Sequence, residues 1–202
     1  AFDEAREAGI PVVFMDTGYP SEGFGEWDPL TAYVSIPGDK MSALVADWMI
    51  VDSNGEAEVL TMTVSDTPWT KWTMGNGAHV EFAEHCPNCI VHNLDSNAAQ
   101  TADRPAMTAA ALAANPDTNY VLPGYDSTVE PSGALEGVIN ADYLDRVTGG
   151  TTTGQLSGLQ LIADGHFLAV NAGTNNYQSA WAAVDQVVRL SVGMDPVIDP
   201  VV

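Results

Sequence analysis

Short apolar runs alternate with segments of helical period along almost the whole chain. The apolar runs are typical of buried strands and cover 10–16, 32–36, 59–64, 90–94, 119–122, 145–148 and 167–171. The segments between them repeat apolar residues every three or four positions, which predicts helices over 40–52, 69–85, 101–114, 128–140, 154–163 and 176–192. This alternation predicts an α/β fold of Rossmann-like, doubly wound parallel sheets with helices on both faces.

Two segments carry more specific expectations. Residues 17–30 are rich in Gly and Pro, which predicts a long loop. The helix 176–192 carries an apolar stripe that we expect on its buried face, formed by Tyr177, Ala180, Trp181, Val184, Val187 and Val188.

Composition narrows the classes of protein. Hydrophobic residues make up 46% of the 202 residues, enough for a packed core, and the net charge of -21 argues against nucleic-acid binding and against an anionic membrane surface. The sequence contains no apolar run of about 18 residues that could span a membrane. Because the start, Ala1–Ala5, has neither an initiator Met nor signal-peptide character, we expect a mature or truncated piece of a longer protein.

Polar side chains gather where the predicted strands end, which is where parallel α/β sheets bind ligands. These positions are Asp16–Thr17, Ser65–Asp66, Asp95–Ser96, Tyr125–Asp126, 149–153 and 173–176. They are rich in hydroxyl, amide and carboxylate groups and poor in Lys and Arg, which favours a ligand with many hydroxyl groups. Asp16 is the stronger candidate contact because a loop follows it, whereas Asp126 is either a turn or N-cap carboxylate or a bidentate acceptor for ligand hydroxyls.

Two tryptophans follow the strand 59–64. Trp69 and Trp72 either pack the start of the next helix into the core or stack on the apolar face of a sugar or polyol.

Sequence signatures of catalysis are lacking. There is no phosphate-binding Gly-rich loop with Lys and no Gly-x-Ser-x-Gly elbow after a strand. We therefore expect no catalytic residue, no cofactor and no bound metal.

The motif Cys86-Pro87-Asn88-Cys89 closes a predicted helix and precedes a strand. A redox pair opens a helix instead, so a local structural disulfide is the favoured interpretation, and it implies an oxidising compartment. Free thiols, or a zinc site with His79, His85 or His92, are the alternatives.

Several strings in order resemble type I periplasmic sugar-binding proteins, the ribose/galactose-binding group. They are Ala8–Val13 followed by Asp16, then 114–117, 124–126, 133–136, 161–165 and 185–193, and together they extend the resemblance over nearly all of the chain. The resemblance implies two Rossmann-like lobes joined by a hinge, a ligand closed between them, and delivery to a membrane ABC permease. It also implies that part of the first lobe is missing. It places 1–36 in the first lobe, 37–172 in the second, and 173–202 in the return helix and the start of the last hinge crossing.

The resemblance assigns ligand contacts position by position. Asp16 matches an Asp that binds sugar hydroxyls, and Thr17 stands where Arg is common. Trp72 falls near a second-lobe Arg, Tyr125 replaces an Asn, and Asp126 matches the Asp beside it. Thr152 or Thr153 replaces another Asp, and Asn175 lies close to the usual Gln or Asn. The full predicted set is Asp16, Thr17, Ser65, Trp69, Trp72, Tyr125, Asp126, Thr152 and Asn175.

These departures favour a modified sugar or polyol over a simple pentose or hexose. The resulting hypothesis is a non-enzymatic solute-binding component of an ABC importer. We expect it to be periplasmic or extracellular, with or without a lipid anchor on the full-length protein. The alternative is a ligand-sensing input domain of a receptor or regulator with the same fold, and an enzyme on a doubly wound sheet is a third class.

Overall fold

The computed structural model describes residues 2–17, 29–130 and 133–197, in which parallel strands alternate with helices. The elements in chain order are α1 (Phe2–Glu7), β1 (Val12–Thr17), β2 (Thr31–Ser35), α2 (Gly38–Asp52), β3 (Glu58–Val64), α3 (Pro68–Thr73), a π-turn (Met74–Ala78), α4 (His79–His85), β4 (Ile90–Ser96), a 3-10 turn (Ala98–Asp103), α5 (Arg104–Ala114), β5 (Tyr120–Pro123), α6 (Asp126–Val129), α7 (Ala134–Asn140), β6 (Thr148–Thr153), α8 (Leu156–Ala163), β7 (Leu168–Gly173) and α9 (Asn176–Ser191). Two compact units result. Unit 1 comprises 1–37 and 174–202, and unit 2 comprises 38–173.

Unit 2 is a five-stranded parallel sheet in the order β4-β3-β5-β6-β7. Alternate residues of the central strands enter two different cores. Val59 and Leu122 pack with α2 and α4 on one face, whereas Leu60 and Val121 pack with α5 and α7 on the other. Because side chains alternate across a strand, both faces of this sheet are covered by helices. The predicted α/β, doubly wound class is confirmed.

The prediction of a strand at 145–148 was wrong, because β6 runs over Thr148–Thr153. A Gly-Gly pair normally indicates a turn, but here the two glycines let neighbouring elements approach the strand closely. A Cβ on Gly149 would overlap the Phe167 ring, and one on Gly150 would overlap Val45 and Met49 of α2. The residues taken as following the strand therefore form it.

Two long predicted helices are interrupted. The helix over 69–85 contains the π-turn between α3 and α4. The helix over 128–140 is two short helices, α6 and α7, and Gly133 with φ +94° precedes the second of them. The predicted 17–30 loop lies largely outside the described residues.

Unit 1 pairs β1 with β2 in parallel, and α9 packs on both strands. The helix was predicted correctly, but its buried face was not. Its buried residues are Ser179, Gln186 and Leu190. They lie on the opposite side of the helix from the predicted stripe, whose Trp181 is 74% exposed. On this buried face, Gln186 accepts a hydrogen bond from Val197 N at 3.0 Å.

The cysteine pair forms the predicted disulfide, Cys86–Cys89, with Cα atoms 5.3 Å apart. It closes the turn between α4 and β4, and Cys86 is buried in the core. No helix among the described residues has the length and apolar character that crossing a membrane requires.

Candidate functional site

An aromatic pair stands at the carboxyl edge of the unit 2 sheet. Trp69 lies in the first turn of α3, and Tyr125 directly precedes α6. Their ring centroids are 6.1 Å apart with planes at 73°, an edge-to-face contact. Both side chains are half-buried, and the buried indole N–H of Trp69 has no hydrogen-bond acceptor among the described residues. The pair therefore presents apolar ring surface at the edge, while the Trp69 indole N–H is buried within the protein.

The start of α3 is tied to the end of β3. Pro68 occupies the first turn, where its fixed φ suits a helix and its missing N–H leaves no donor unsatisfied. The buried Thr70 hydroxyl donates to the carbonyl of Val64, the last residue of β3, at 2.8 Å. The helix turn that carries Trp69 is thus connected to the end of β3. Trp72 lies three residues further along the same short helix and is half-buried.

Asp126 lies beneath this edge, and its carboxylate is bonded to the protein itself. The residue is 1% exposed. Its Oδ2 accepts from Gln155 N at 2.6 Å and from the Thr153 hydroxyl at 3.0 Å, and its Oδ1 accepts from Asn171 Nδ2 at 2.8 Å. These donors belong to β6, the turn after it, and β7. Asp126 therefore ties the ends of three neighbouring strands together.

Close approach to Asp126 depends on a glycine in α8. A Cβ on Gly158 would overlap both Asp126 Oδ1 and Asn171 Nδ2. The helix can therefore cover the buried carboxylate only because this position has no side chain.

Thr152 and Thr153, at the end of β6, also form hydrogen bonds within the protein. Thr152 is fully buried and donates to the Gly124 carbonyl at 2.7 Å. Thr153 has φ +89°, a conformation that costs a β-branched residue about 1–3 kcal/mol. Its hydroxyl bond to Asp126 holds it there, and Asn171 Oδ1 accepts from the next amide, Gly154 N, at 3.0 Å. Strain of this kind is common beside binding sites.

Ser65 is exposed at the end of β3. Its hydroxyl donates to the Ser96 carbonyl at 3.1 Å, which links the ends of β3 and β4. Asp66 extends this link, because both of its carboxylate oxygens accept from Ala98 N at 3.0 and 3.1 Å.

Three predicted contacts belong to unit 1. Asp16 and Thr17 are the last two residues of β1, the strand-end position that the sequence predicted. Asn175 is the N-cap of α9, where its Oδ1 accepts from Tyr177 N and Gln178 N at 3.1 and 3.3 Å. Ligand contact by these residues stays a prediction.

The structure thus separates the unit 2 candidates by role. Trp69, Trp72, Tyr125 and Ser65 have surface at the sheet edge, whereas the polar atoms of Asp126 and Thr152 are bonded within the protein. Asn171 was missed as a functional residue. The one available signal was an amide side chain in the last predicted strand, at its carboxyl end.

The pKa values of His79 and Tyr120 are shifted, and both residues lie away from this edge. Burial lowers the pKa of His79, whose Nε2 is 2.9 Å from the Thr61 hydroxyl. Burial, and then the hydrogen bond to Asp52, raise the pKa of Tyr120 far above its usual range. Within the described part of the chain, no three His, Cys, Asp or Glu side chains are grouped so that they could hold a metal ion.

The family model described as a periplasmic binding protein domain matches residues 1–195. The chain belongs to this family. The family and the structural neighbours are solute-binding proteins rather than enzymes, and members of the family are periplasmic. No curated protein matches the sequence.

Solved solute-binding proteins share the fold at low sequence identity. One from Actinobacillus succinogenes, with bound D-allose, has a TM-score of 0.80 and 18% identity, and the match covers 100% of this chain and 70% of that one. One from Bacillus halodurans, with bound myo-inositol, has a TM-score of 0.79 and 14% identity, and the match covers 99% of this chain and 66% of that one.

A third neighbour, the 5-methylthioribose transporter solute-binding protein from Thermotoga lettingae, has a TM-score of 0.75 and 20% identity, with 98% and 59% covered. The present chain therefore spans between 59% and 70% of the length of these three solute-binding proteins.

Proposed function

We propose that the chain is the ligand-binding component of an ABC importer for a sugar or polyol, acting in the periplasm or outside the cell. Its ligand site lies at the carboxyl edge of the unit 2 sheet. The observation that carries this proposal is the Trp69–Tyr125 pair, held at that edge above the hydrogen-bonded Asp126.

The chemistry of the edge suits a neutral, hydroxyl-rich ligand. Aromatic faces pack against the apolar C–H face of a sugar ring, and the Trp69–Tyr125 pair offers such ring surface. The net charge of -21 disfavours an anionic ligand. The ligands named for the structural neighbours, D-allose and myo-inositol, belong to the same chemical class.

Within this proposal, the candidate residues of unit 2 have two different roles. Tyr125, Trp69, Trp72 and Ser65 contact the ligand. Asp126 and Thr152 hold the loops that present these residues, since their own polar atoms are already bonded. Asp16, Thr17 and Asn175 remain predicted contacts from unit 1.

A thermal-shift screen tests the proposal. The panel contains D-allose, D-arabinose, myo-inositol and 5-methylthioribose, with amino acids and nucleosides as comparison classes. A ligand at a thousand times its Kd stabilises the folded protein by about 4 kcal/mol, which raises the Tm of a protein of this size by about 8–16 °C. A shift confined to one or more sugars or polyols supports the proposal. A shift only with amino acids or nucleosides contradicts the proposed ligand class.

A matched pair of variants tests the site. Trp69 and Trp48 are both half-buried and both contact a tyrosine edge-to-face, Trp69 with Tyr125 and Trp48 with Tyr120. Tyr120, however, begins β5, whereas Tyr125 follows its carboxyl end. We expect Trp69→Phe to reduce the sugar-induced shift and Trp48→Phe to retain it in full.

A further inference from the structure

The helical segment from Pro68 to His85 contains one turn that is wider than an α-turn. In the π-turn, the His79 N–H donates to the Met74 carbonyl five residues back rather than four. A π-turn holds one residue more than an α-helix of the same length, and such turns are frequent at functional sites.

A serine from another helix occupies this turn. Ser42 of α2 is fully buried, and its hydroxyl donates to the Thr73 carbonyl at 2.7 Å. The same oxygen accepts from Ala78 N at 3.0 Å. The hydroxyl therefore bridges a carbonyl and an N–H that lie five residues apart. A side chain inserted into the hydrogen-bond ladder is a known cause of helix irregularity.

The two glycines of the π-turn differ in their surroundings. A Cβ on Gly77 would overlap Ser42 Oγ and the Asp39 carbonyl, so the close approach of the turn to α2 requires glycine there. A Cβ on Gly75 would meet nothing within 4 Å. Gly77 thus leaves room for the Ser42 hydroxyl. Of the two glycines, Gly75 is the one whose removal disturbs the packing less.

We propose that Ser42 is a positioning residue for the Trp69–Tyr125 pair. The end of the segment beyond the π-turn is anchored, because Phe82 is buried in the core. Successive side chains of a helix point about 100° apart around its axis. One extra residue between Trp69 and the anchored end therefore rotates the direction of the Trp69 side chain by about that angle. By holding the extra residue in place, Ser42 sets the direction of Trp69. The consequence for ligand binding rests on the function proposed above.

Nuclear magnetic resonance of the whole chain tests this role without any ligand. The Trp69 indole N–H resonance is assigned from its loss in Trp69→Phe, and its contact with Tyr125 is followed by the nuclear Overhauser effect between the rings. We expect Ser42→Ala to shift this resonance and weaken the effect, because Thr73 O and Ala78 N lose their bridge. The control is Ser53→Ala, which removes an α2-end hydroxyl that donates to the Ile50 carbonyl, and it should leave both signals unchanged.

Deletion of Gly75 tests the same relationship by removing the extra residue instead of the serine that holds it. Without the extra residue, Ala78 N–H reaches the Thr73 carbonyl in ordinary α-helical register. We expect deletion of Gly75 to shift the Trp69 resonance even with Ser42 present. If Ser42→Ala alone does not fold, adding the Gly75 deletion should restore folding. Unchanged Trp69 signals in a folded Ser42→Ala or Gly75-deleted chain overturn the proposal, and so does failure of the double variant to recover a lost fold.

Titration with D-allose and myo-inositol connects this role to binding. Where the wild-type chain binds one of them, we expect Ser42→Ala to weaken binding tenfold or more while Ser53→Ala does not. If Ser42→Ala shifts Trp69 but binds the sugar as tightly as wild type, the positioning role in ligand binding is overturned. If the wild type binds no sugar, the proposed function fails, whereas the resonance measurements still decide whether Ser42 directs Trp69.

Discussion

Asp126 and Asn171 lie 45 residues apart in sequence and are joined by a 2.8 Å hydrogen bond from Asn171 Nδ2 to Asp126 Oδ1. The same amide side chain accepts from Gly154 N through its Oδ1. One asparagine therefore connects the start of α6, which follows β5, with the turn after β6, so the carboxyl ends of β5, β6 and β7 are joined by hydrogen bonds.

We expect Asn171→Ala to destabilise the protein more than an alanine substitution at a half-buried position usually does. It removes a donor to a buried carboxylate, and hydrogen bonds to charged groups contribute about 1.5–3 kcal/mol. We expect urea unfolding to show a loss of about 2–3 kcal/mol. The matched control is Asn115→Ala, whose amide donates to the neutral Ala111 carbonyl and should contribute about 1 kcal/mol. Equal losses in the two variants contradict the special role of Asn171.

Gly158→Ala should also destabilise the sheet edge, although alanine favours helices. The added methyl overlaps Asp126 Oδ1, and overpacking of this kind costs about 1–3 kcal/mol. Gly75→Ala is the control, because its Cβ enters open space and should be neutral or stabilising by up to about 1 kcal/mol. Denaturant midpoints of the two variants check this, and a Gly158→Ala protein as stable as wild type contradicts the packing described.

Stability should fall as the pH drops below about 6.5, in part because of His79. Burial lowers the pKa of His79 in the folded protein, so below its unfolded pKa the unfolded chain binds more protons than the folded one. We expect the free energy of unfolding to depend less on pH between 7.5 and about 5.5 in His79→Gln than in wild type. The control is His85→Gln, since the His85 side chain is 60% exposed. An identical pH dependence in wild type and His79→Gln contradicts this explanation.

Reduction of the Cys86–Cys89 disulfide should weaken the fold without abolishing it. The loop that it closes contains only a few residues, and for so short a loop the chain-entropy estimate is about 2 kcal/mol. Urea unfolding with and without a thiol reductant measures the loss. Complete unfolding of the reduced chain in the absence of urea would show that the disulfide carries more of the stability than its loop length implies.

Hydrophobic pattern alone predicted the architecture well but failed where tertiary contacts override local signals. The strand-helix alternation and the cysteine turn were confirmed because each is a local property. The pattern placed Gly149 and Gly150 after a strand, and only their neighbours Phe167, Val45 and Met49 explain why the two glycines lie within one. For α9, periodicity identified a helix, but the choice of buried face depends on where β1 and β2 lie.

The candidate site was predictable in position but not in role. The rule that ligands bind at strand ends selected Tyr125, Asp126 and Thr152, and these residues do lie at or next to the strand ends. Their hydrogen bonds could not be predicted, because Asn171 reaches Asp126 from β7 and Gln155 reaches it from the turn after β6. The π-turn held by Ser42 was equally hidden, since its two partner atoms are backbone groups from a distant segment.

The proposed function requires that a sugar or polyol binds beside Trp69. Calorimetric titration of the best sugar from the thermal-shift screen into wild type, Trp69→Phe and Trp48→Phe tests it most directly. We expect binding to wild type and Trp48→Phe with equal affinity, and at least tenfold weaker binding to Trp69→Phe. Equal binding to all three proteins, or a loss in Trp48→Phe alone, would contradict a ligand site at the Trp69–Tyr125 edge.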